Sequence, residues 1–308
     1  MIHVAVGVIR SPDQRILISR RPPKAHQGDL WEFPGGKVES GETVQQALHR
    51  ELSEELDLQT VRTEPLCRVS HDYGDRRVLL DVWTVREWRG TPRGMEDQPL
   101  RWVPVDELDP QDFPVANRPI IRCLRLHDLL AITPAADDAQ QALRQLRHLA
   151  AHHEGLIQLR QPALDADAMD RVLEAASQLP GQVRRRILLN IDPKHPLCSR
   201  FGGCHLNSRR LGEFRERPVA EDLLLGASCH TIEELAMAME LGADYATLSP
   251  VQETASHPGA VTLGWERFAE MLKGMNLPVY AQGGLGRNEL DEARRHGARG
   301  VAGIRFLQ

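Results

Sequence analysis

Apolar and polar residues alternate along MIHVAVGVI at the start of the chain, which predicts a strand over Val4 to Ile9 and a second over Arg15 to Ser19. Gly35-Gly36 interrupts the pattern and predicts a turn. From about Thr43 to Leu56 the apolar spacing lengthens to the helical period, and strands are expected again near Leu66 to His71 and Val78 to Trp88. A helical stretch from Pro119 to Leu129 closes this mixed α/β region.

Beyond it the rhythm changes. Eight short apolar runs follow: Leu129 to Thr133, Leu156 to Leu159, Ile187 to Ile191, Gly203 to Leu206, Leu223 to Ala227, Tyr245 to Leu248, Val279 to Ala281 and Val301 to Ile304. Amphipathic segments such as Asp138 to His152, Ala166 to Leu179, Thr231 to Leu241 and Asn288 to Gly297 separate most of them. Strands alternating with helices predict right-handed βα units and a parallel sheet, and eight of them favour a closed barrel. Residues 129–308 are few for that fold, so short or missing helices are expected, above all around Pro193 to Arg217. No Gly/Ser-rich or proline-rich linker marks the junction. Two domains are expected, 1–128 and 129–308.

Composition narrows the function classes. The 308 residues exceed what one hydrophobic core usually organises. Hydrophobic residues make up 41% and charged residues 26%, and no run approaches the roughly 18 apolar residues of a membrane span. The N-terminal segment has no basic flank or cleavage site of a signal peptide, so a cytoplasmic protein is expected. The five cysteines include no C-x-x-C pair, which argues for reduced thiols and against a thiolate zinc site. The net charge is -5 and both halves are mildly acidic, which excludes the basic excess of a nucleic-acid binder but admits a free nucleotide whose phosphates a metal ion neutralises. Nothing in the pattern fixes an oligomeric state.

The candidate chemistry sits in EFPGGKVESGETVQQALHRELSEELDL, residues 32–58. On a helix starting near Thr43, Glu51, Glu54 and Glu55 share one face, where their repulsion is costly unless a cation joins them. Mg2+ suits such oxygen ligands, and Arg50 is spaced to pair with Glu54. The residues alone also admit a solvated acidic face. The string resembles the Nudix box through Gly36, Glu42, Arg50, Glu51, Leu52, Glu54, Glu55 and Leu58, with Asp57 where that family has glycine. That glycine is expected to end the helix at positive φ, a conformation Asp tolerates.

Around the box, VAVGVIR, Arg20-Arg21, His26, EFPGGK, Asp75-Arg76, Glu96 and Asp112-Phe113-Pro114 with Ala116-Asn117 resemble the MutT type of Nudix hydrolase. The resemblance implies an α/β/α sandwich and Mg2+-dependent hydrolysis of 8-oxo-dGTP to 8-oxo-dGMP and pyrophosphate, with Mn2+ as a substitute metal. It implies metal ligands at Gly35 (through its carbonyl), Glu51, Glu54, Glu55 and Glu96, with Glu51 as the base. It also implies nucleotide contacts from Arg21, His26, Phe33, Asp75 and Asn117. A side-chain amide suits 8-oxoguanine because it accepts from N7–H while donating to O6. From sequence alone Asn117 equally suits an N-cap, Phe33 the core, and His26, Asp75 and Glu96 exposed loops.

The second half resembles thiamine phosphate synthase and its relative TenI through LLAITP (129–134), GLIQLR (155–160), GGCHLNS (202–208), GASCHTIEEL (226–235), GADYATLSPV (242–251), YAQGGLG (280–286) and RGVAGI (299–304). It implies a (β/α)8 barrel with a phosphate site at Gly283, Gly284, Gly303 and Ile304. Pro162 stands where the synthases carry Lys, Ile191 where they carry Asp, and Arg209-Arg210 where a second Asp is expected. Asp192 offers a displaced ligand, and His230 or His257 a base for isomerase chemistry. The leading expectation is therefore an 8-oxo-dGTP diphosphatase fused to a synthase-like barrel without synthase activity. The alternatives are a Nudix hydrolase of another nucleotide or a thiamine-pathway diphosphate, a bifunctional enzyme, and a ligand-sensing or structural barrel.

Overall fold

The computed structural model describes all residues except 25, 255–258, 260, 274, 276 and 308. The chain divides into two compact units, Met1–Arg125 and Leu126–Gln308.

In the first unit, β1 (Ile2–Ile9), β2 (Ile16–Arg20), β3 (Trp31–Glu32) and β4 (Gly35–Lys37) precede helix α1 (Val44–Leu56). Then come β5 (Gln59–Asp72), β6 (Arg77–Arg89), β7 (Leu100–Val103) and α2 (Arg118–Leu124). One sheet runs β4-β1-β6-β5, with β1 and β6 parallel and the outer pairs antiparallel; a second runs β3-β2-β7. Both faces of β1 are covered. Ala5 and Ile9 pack against Leu48, Leu52 and Leu56 of α1, while Val6 and Val8 lie in the cluster containing Ile120 and Ile121 of α2. The result is an α/β/α sandwich on a mixed sheet, and each buried leucine stabilises it by roughly 1.5–3 kcal/mol.

Three local expectations are corrected. Gly35-Gly36 is not a turn but the core of β4, paired with Val6 and Ala5 of β1. The strand expected from Leu66 begins at Gln59; its early half is hidden in sequence because Pro65 and register shifts near Arg62 break the alternation. The helix after Asn117 stops at Leu124, and Leu129 already opens a strand.

The second unit is a closed parallel barrel. It begins with β8 (Leu129–Ile132), α3 (Ala139–His152), β9 (Leu156–Leu159), α4 (Ala166–Ala176), α5 (Gly181–Arg184), β10 (Ile187–Leu189) and β11 (Gly203–Leu206). It continues with α6 (Ser208–Leu211), β12 (Leu224–Cys229), α7 (Ile232–Glu240), β13 (Tyr245–Leu248), α8 (Gly264–Leu272), β14 (Val279–Gln282), α9 (Leu290–Arg295) and β15 (Gly300–Gly303). The irregularity expected between Pro193 and Arg217 is there: a 3-10 turn, Cys198–Arg200, replaces a helix between β10 and β11, and α6 is a single turn. Leu130, Ile132, Leu156, Leu188, Tyr245, Tyr280 and Ala302 cluster inside the barrel. Gly226 makes room for Tyr245, since a Cβ there would lie 2.2 Å from the ring. The Tyr245 hydroxyl and Ser228 Oγ each lie 2.8 Å from a nitrogen of His205, whose burial pushes its pKa down to about 3. Among the described residues, no helix is long and apolar enough to cross a membrane.

Asp57 ends α1 in the left-handed region at φ 56 and ψ 37, its N–H bonded to the Leu52 and Ser53 carbonyls. Glycine there relieves strain of roughly 1 kcal/mol and loses roughly 0.5 kcal/mol to added unfolded-state entropy. Asp57→Gly is therefore expected to raise stability by about half a kcal/mol, read as a small upward shift of the urea midpoint. A lower midpoint would mean that the Asp57 side chain does something other than tolerate the turn.

Candidate active site

The helix that carries the carboxylates is well specified locally. The Thr43 hydroxyl accepts from the Gln46 N–H and the Gln46 side chain accepts from the Thr43 N–H, a reciprocal cap. The buried leucines anchor α1 on β1, and the flank carrying Glu51 and Glu55 meets the neighbouring strand β4. Glu51 lies directly over Gly36, where a Cβ would stand 2.1 Å from the carboxylate carbon. Only glycine lets that carboxylate lie so close to the strand. Glu55 accepts a hydrogen bond from the Gly35 N–H at 3.2 Å.

Arg50 organises part of the group. Its guanidinium donates to Glu42 at 2.8 and 2.9 Å, to Glu51 at 2.8 Å, to Glu54 at 3.3 Å and to the Lys37 carbonyl at 3.0 Å. These bonds hold the Glu42 carboxyl at a pKa of about 2. Glu51 is 15% exposed and Glu54 63%, so the shared helix face is half-buried at the first and open at the second.

Glu55 has no such relief. Burial, and then the negative charges of Glu32, Glu51 and Glu96, push its pKa up to about 8 against the pull of the Gly35 N–H. Glu96 belongs to a loop stapled to the end of α1, because the Met95 N–H (2.9 Å) and the Gln98 side-chain amide (3.1 Å) both donate to the Glu55 carbonyl. The sequence reading missed Glu32 and Gln98. Glu32 stood in the EFPGGK run, but only the fold brings β3 beside α1; Gln98 carried no signal.

Among the described residues, no three His, Cys, Asp or Glu side chains close into a ready-made ion cage. The donors that approach one another are all hard oxygen donors, and one of them has only a backbone N–H for company. That chemistry fits a divalent cation such as Mg2+ better than a softer metal.

The expected nucleotide-contact residues divide into groups. Arg21 is paired with Glu32 and donates to the His26 carbonyl at 3.1 Å. The His26 ring meets Tyr73 edge-on, with centroids 5.0 Å apart. Asp75 is exposed at the tip of the β5–β6 hairpin and bonded to Arg76. Phe33 is 3% exposed and stacked on Phe113 with centroids 5.4 Å apart, so its ring serves the core and does not line an open wall. Asn117 makes no capping bond at the start of α2. Instead its Oδ1 faces the Phe33 N–H at 3.5 Å, which turns the amide toward β3.

In the barrel, Gly283 and Gly284 follow β14 with φ of 99 and 70, and Arg305 donates to the Gly284 carbonyl at 3.1 Å, drawing the Gly303-Ile304 loop alongside. Arg160 directly follows β9 and is half-buried. Asn190 donates to the His205 carbonyl at 2.7 Å. Asp192 is held by Arg210 at 3.4 Å and by the Lys194 N–H at 3.0 Å, so a cation already sits where a displaced metal ligand was expected. His230 is exposed and its Nδ1 lies 2.9 Å from the Ser249 carbonyl; His257 falls outside the described residues.

An α/β/α sandwich with carboxylates gathered on the helix after a Gly-Gly strand, followed by a parallel eight-stranded barrel, defines a two-domain enzyme of the Nudix class. Residues 5–123 match the NUDIX domain family and residues 129–307 the thiamine monophosphate synthase family, and the chain belongs to both. It is 40% identical over 124 residues to the 8-oxo-dGTP diphosphatase of Escherichia coli (strain K12), spanning 40% of this chain and 96% of that protein. It is 38% identical over 120 residues to the CTP pyrophosphohydrolase of the same organism, spanning 37% of this chain and 88% of that protein. A solved thiamine phosphate pyrophosphorylase from Pyrococcus furiosus is 21% identical, with a TM-score of 0.44, covering 58% of this chain and 85% of that one.

Replacing Glu51 by Gln keeps the shape over Gly36 and removes one charge. Glu51→Gln is expected to preserve the circular dichroism spectrum and to lower hydrolytic turnover about 100-fold or more, and a loss under about tenfold would contradict a central role.

Proposed function

We propose that residues 1–128 hydrolyse 8-oxo-dGTP to 8-oxo-dGMP and pyrophosphate in the cytoplasm, removing an oxidised nucleotide before it enters DNA. The supporting observation is the buried Glu55 carboxyl among Glu32, Glu51 and Glu96, whose pKa is pushed up to about 8 because ionising it there without a cation is costly. Glu51, Glu54, Glu55, Glu96 and the Gly35 carbonyl are the groups we assign to Mg2+, with Mn2+ as a substitute. The ion supplies positive charge against the triphosphate and makes water more acidic. Glu51 takes the proton of the water that attacks phosphorus, and Arg50 holds Glu51 in place for it. Arg21, His26 and Asp75 meet the nucleotide from the β2–β3 and β5–β6 connections. Asn117 reads the base: its Oδ1 keeps a lone pair for N7–H, and its amide N–H groups point to O6. Phe33 contributes its backbone N–H, which orients that amide.

A second reading, hydrolysis of another nucleoside triphosphate, is favoured by the nearly equal likeness to a CTP pyrophosphohydrolase. The barrel, residues 129–308, we infer to be a synthase-like domain that binds a phosphorylated ligand at the backbone of Gly283, Gly284, Gly303 and Ile304 but does not make thiamine phosphate. Pro162, Ile191 and the Arg210–Asp192 pair support that reading. A screen of the full chain for pyrophosphate and orthophosphate release from 8-oxo-dGTP, dGTP, CTP and thiamine-pathway diphosphates, with thiamine phosphate formation followed when a thiazole phosphate is added, tests both parts. The proposal expects 8-oxo-dGTP to lead dGTP by orders of magnitude in kcat/KM. Preference for CTP or a thiamine-pathway diphosphate would overturn it.

Asn117→Ala is expected to reduce kcat/KM for 8-oxo-dGTP far more than for dGTP, so that their ratio shrinks by about tenfold or more. An unchanged ratio would remove Asn117 from base recognition.

A further inference from the structure

The 3-10 turn between β10 and β11 is held down by its side chains. Leu197, Cys198 and Phe201 are 8%, 4% and 3% exposed and join the apolar layer between the strands and α3 and α4. Cys204, the second residue of β11, is fully buried in the same layer. Its thiol donates to the Cys198 sulfur at 3.2 Å, closer than ordinary contact between two sulfurs. Cys198 in turn donates to the Asp192 carbonyl at 3.5 Å. A disulfide needs a separation of about 2.05 Å, so the remaining approach is about one ångström, within reach of small side-chain rotations.

We propose that Cys198 and Cys204 are a modification site that forms a reversible disulfide, with a hydroperoxide as the oxidant. Cys198 is the attacking group. It lies on the turn beside exposed Ser199 and Arg200, and the Cys204 S–H supports its thiolate. That thiolate attacks one peroxide oxygen, the O–O bond breaks, and the departing oxygen leaves as an alcohol, or as water from hydrogen peroxide, after taking a proton. Cys198 is now a sulfenic acid. The Cys204 sulfur attacks the Cys198 sulfur, the S–O bond breaks, and hydroxide leaves with the Cys204 proton as water. Two thiols have been oxidised by two electrons, and one peroxide has been reduced.

The site is placed to alter the barrel. The connection it pins carries Asn190, bonded to the residue after Cys204, and Asp192, bonded to Cys198 through its carbonyl and to Arg210 through its carboxylate. Oxidation removes the S–H that Cys198 gives to Asp192 and ties the turn to β11.

The test uses the full chain treated with hydrogen peroxide, alkylated and digested with trypsin. Trypsin cuts after Arg200 and separates the two cysteines unless they are bonded. The expected result is a linked pair of peptides carrying Cys198 and Cys204, released by dithiothreitol, while Cys67, Cys123 and Cys229 remain alkylated. In Cys204→Ser, Cys198 is expected to be trapped by dimedone as the sulfenic acid. If that variant does not fold, the wild-type map decides alone. Five alkylated cysteines after peroxide, oxidation of Cys67 with the pair intact, or Cys198 over-oxidised beside a free Cys204 would overturn the proposal.

Discussion

Glu51, Glu54 and Glu55 project from adjacent turns of α1, Glu32 and Glu96 approach from a strand and a loop, and their repulsion is what the first unit is arranged around. Two unit charges about 4 Å apart at an effective dielectric near 20 interact by about 4 kcal/mol. A surface helix would relieve that by bending carboxylates into water. Here the apolar face of α1 is locked onto β1 by Leu48, Leu52 and Leu56, and the loop bearing Glu96 is bonded to the Glu55 carbonyl, so the charges are held together. Arg50 neutralises one side by gripping Glu42, Glu51 and Glu54, and Arg21 does the same for Glu32. Among the described residues Glu55 has no such partner, and with its pKa pushed up to about 8 it holds a proton near neutral pH until a cation replaces it. In a domain of the Nudix family, a divalent ion would displace that proton and balance the carboxylates and the phosphates together.

The barrel shows the opposite arrangement. Ile191 and Arg209-Arg210 stand where the resemblance to the synthases implies acidic metal ligands, and Asp192 is paired with Arg210. Arg160 is a half-buried cation at the end of β9. On the reading proposed above, the Arg160 cation and the glycine N–H groups would suit a phosphate that arrives without a metal, which is a different task from joining a diphosphate to a second substrate.

Much of this was legible in the sequence, for identifiable reasons. The eight barrel strands stood out because fully buried parallel strands read as unbroken apolar runs, and α1 because its cap, its period and its carboxylate spacing agree. Asp57 was readable as a left-handed terminus because it stands where the resembled Nudix box has glycine. Strands β3 and β7 were not, since two to four residues carry no period. Gly35-Gly36 looked like a turn because glycine is permissive; the pair lies in a strand bonded to β1, and Gly36 leaves room for the Glu51 carboxylate above it. Glu32 and Gln98 joined the site through long-range pairing that local patterns do not encode. The thiol contact of Cys198 and Cys204 was hidden for the same reason, since neighbouring cysteines in sequence read as separate reduced residues.

The central claim, that the α1 carboxylates are held in mutual repulsion until a divalent cation joins them, is tested most directly by calorimetric unfolding of the full chain and of Glu55→Gln, each with and without Mg2+. Without Mg2+ the variant's first-unit transition is expected at or above that of the wild type. Mg2+ is expected to raise the wild-type transition by several degrees, as binding to the folded state alone requires, and to move the variant much less. A wild-type transition indifferent to Mg2+, together with a destabilised Glu55→Gln, would contradict the claim.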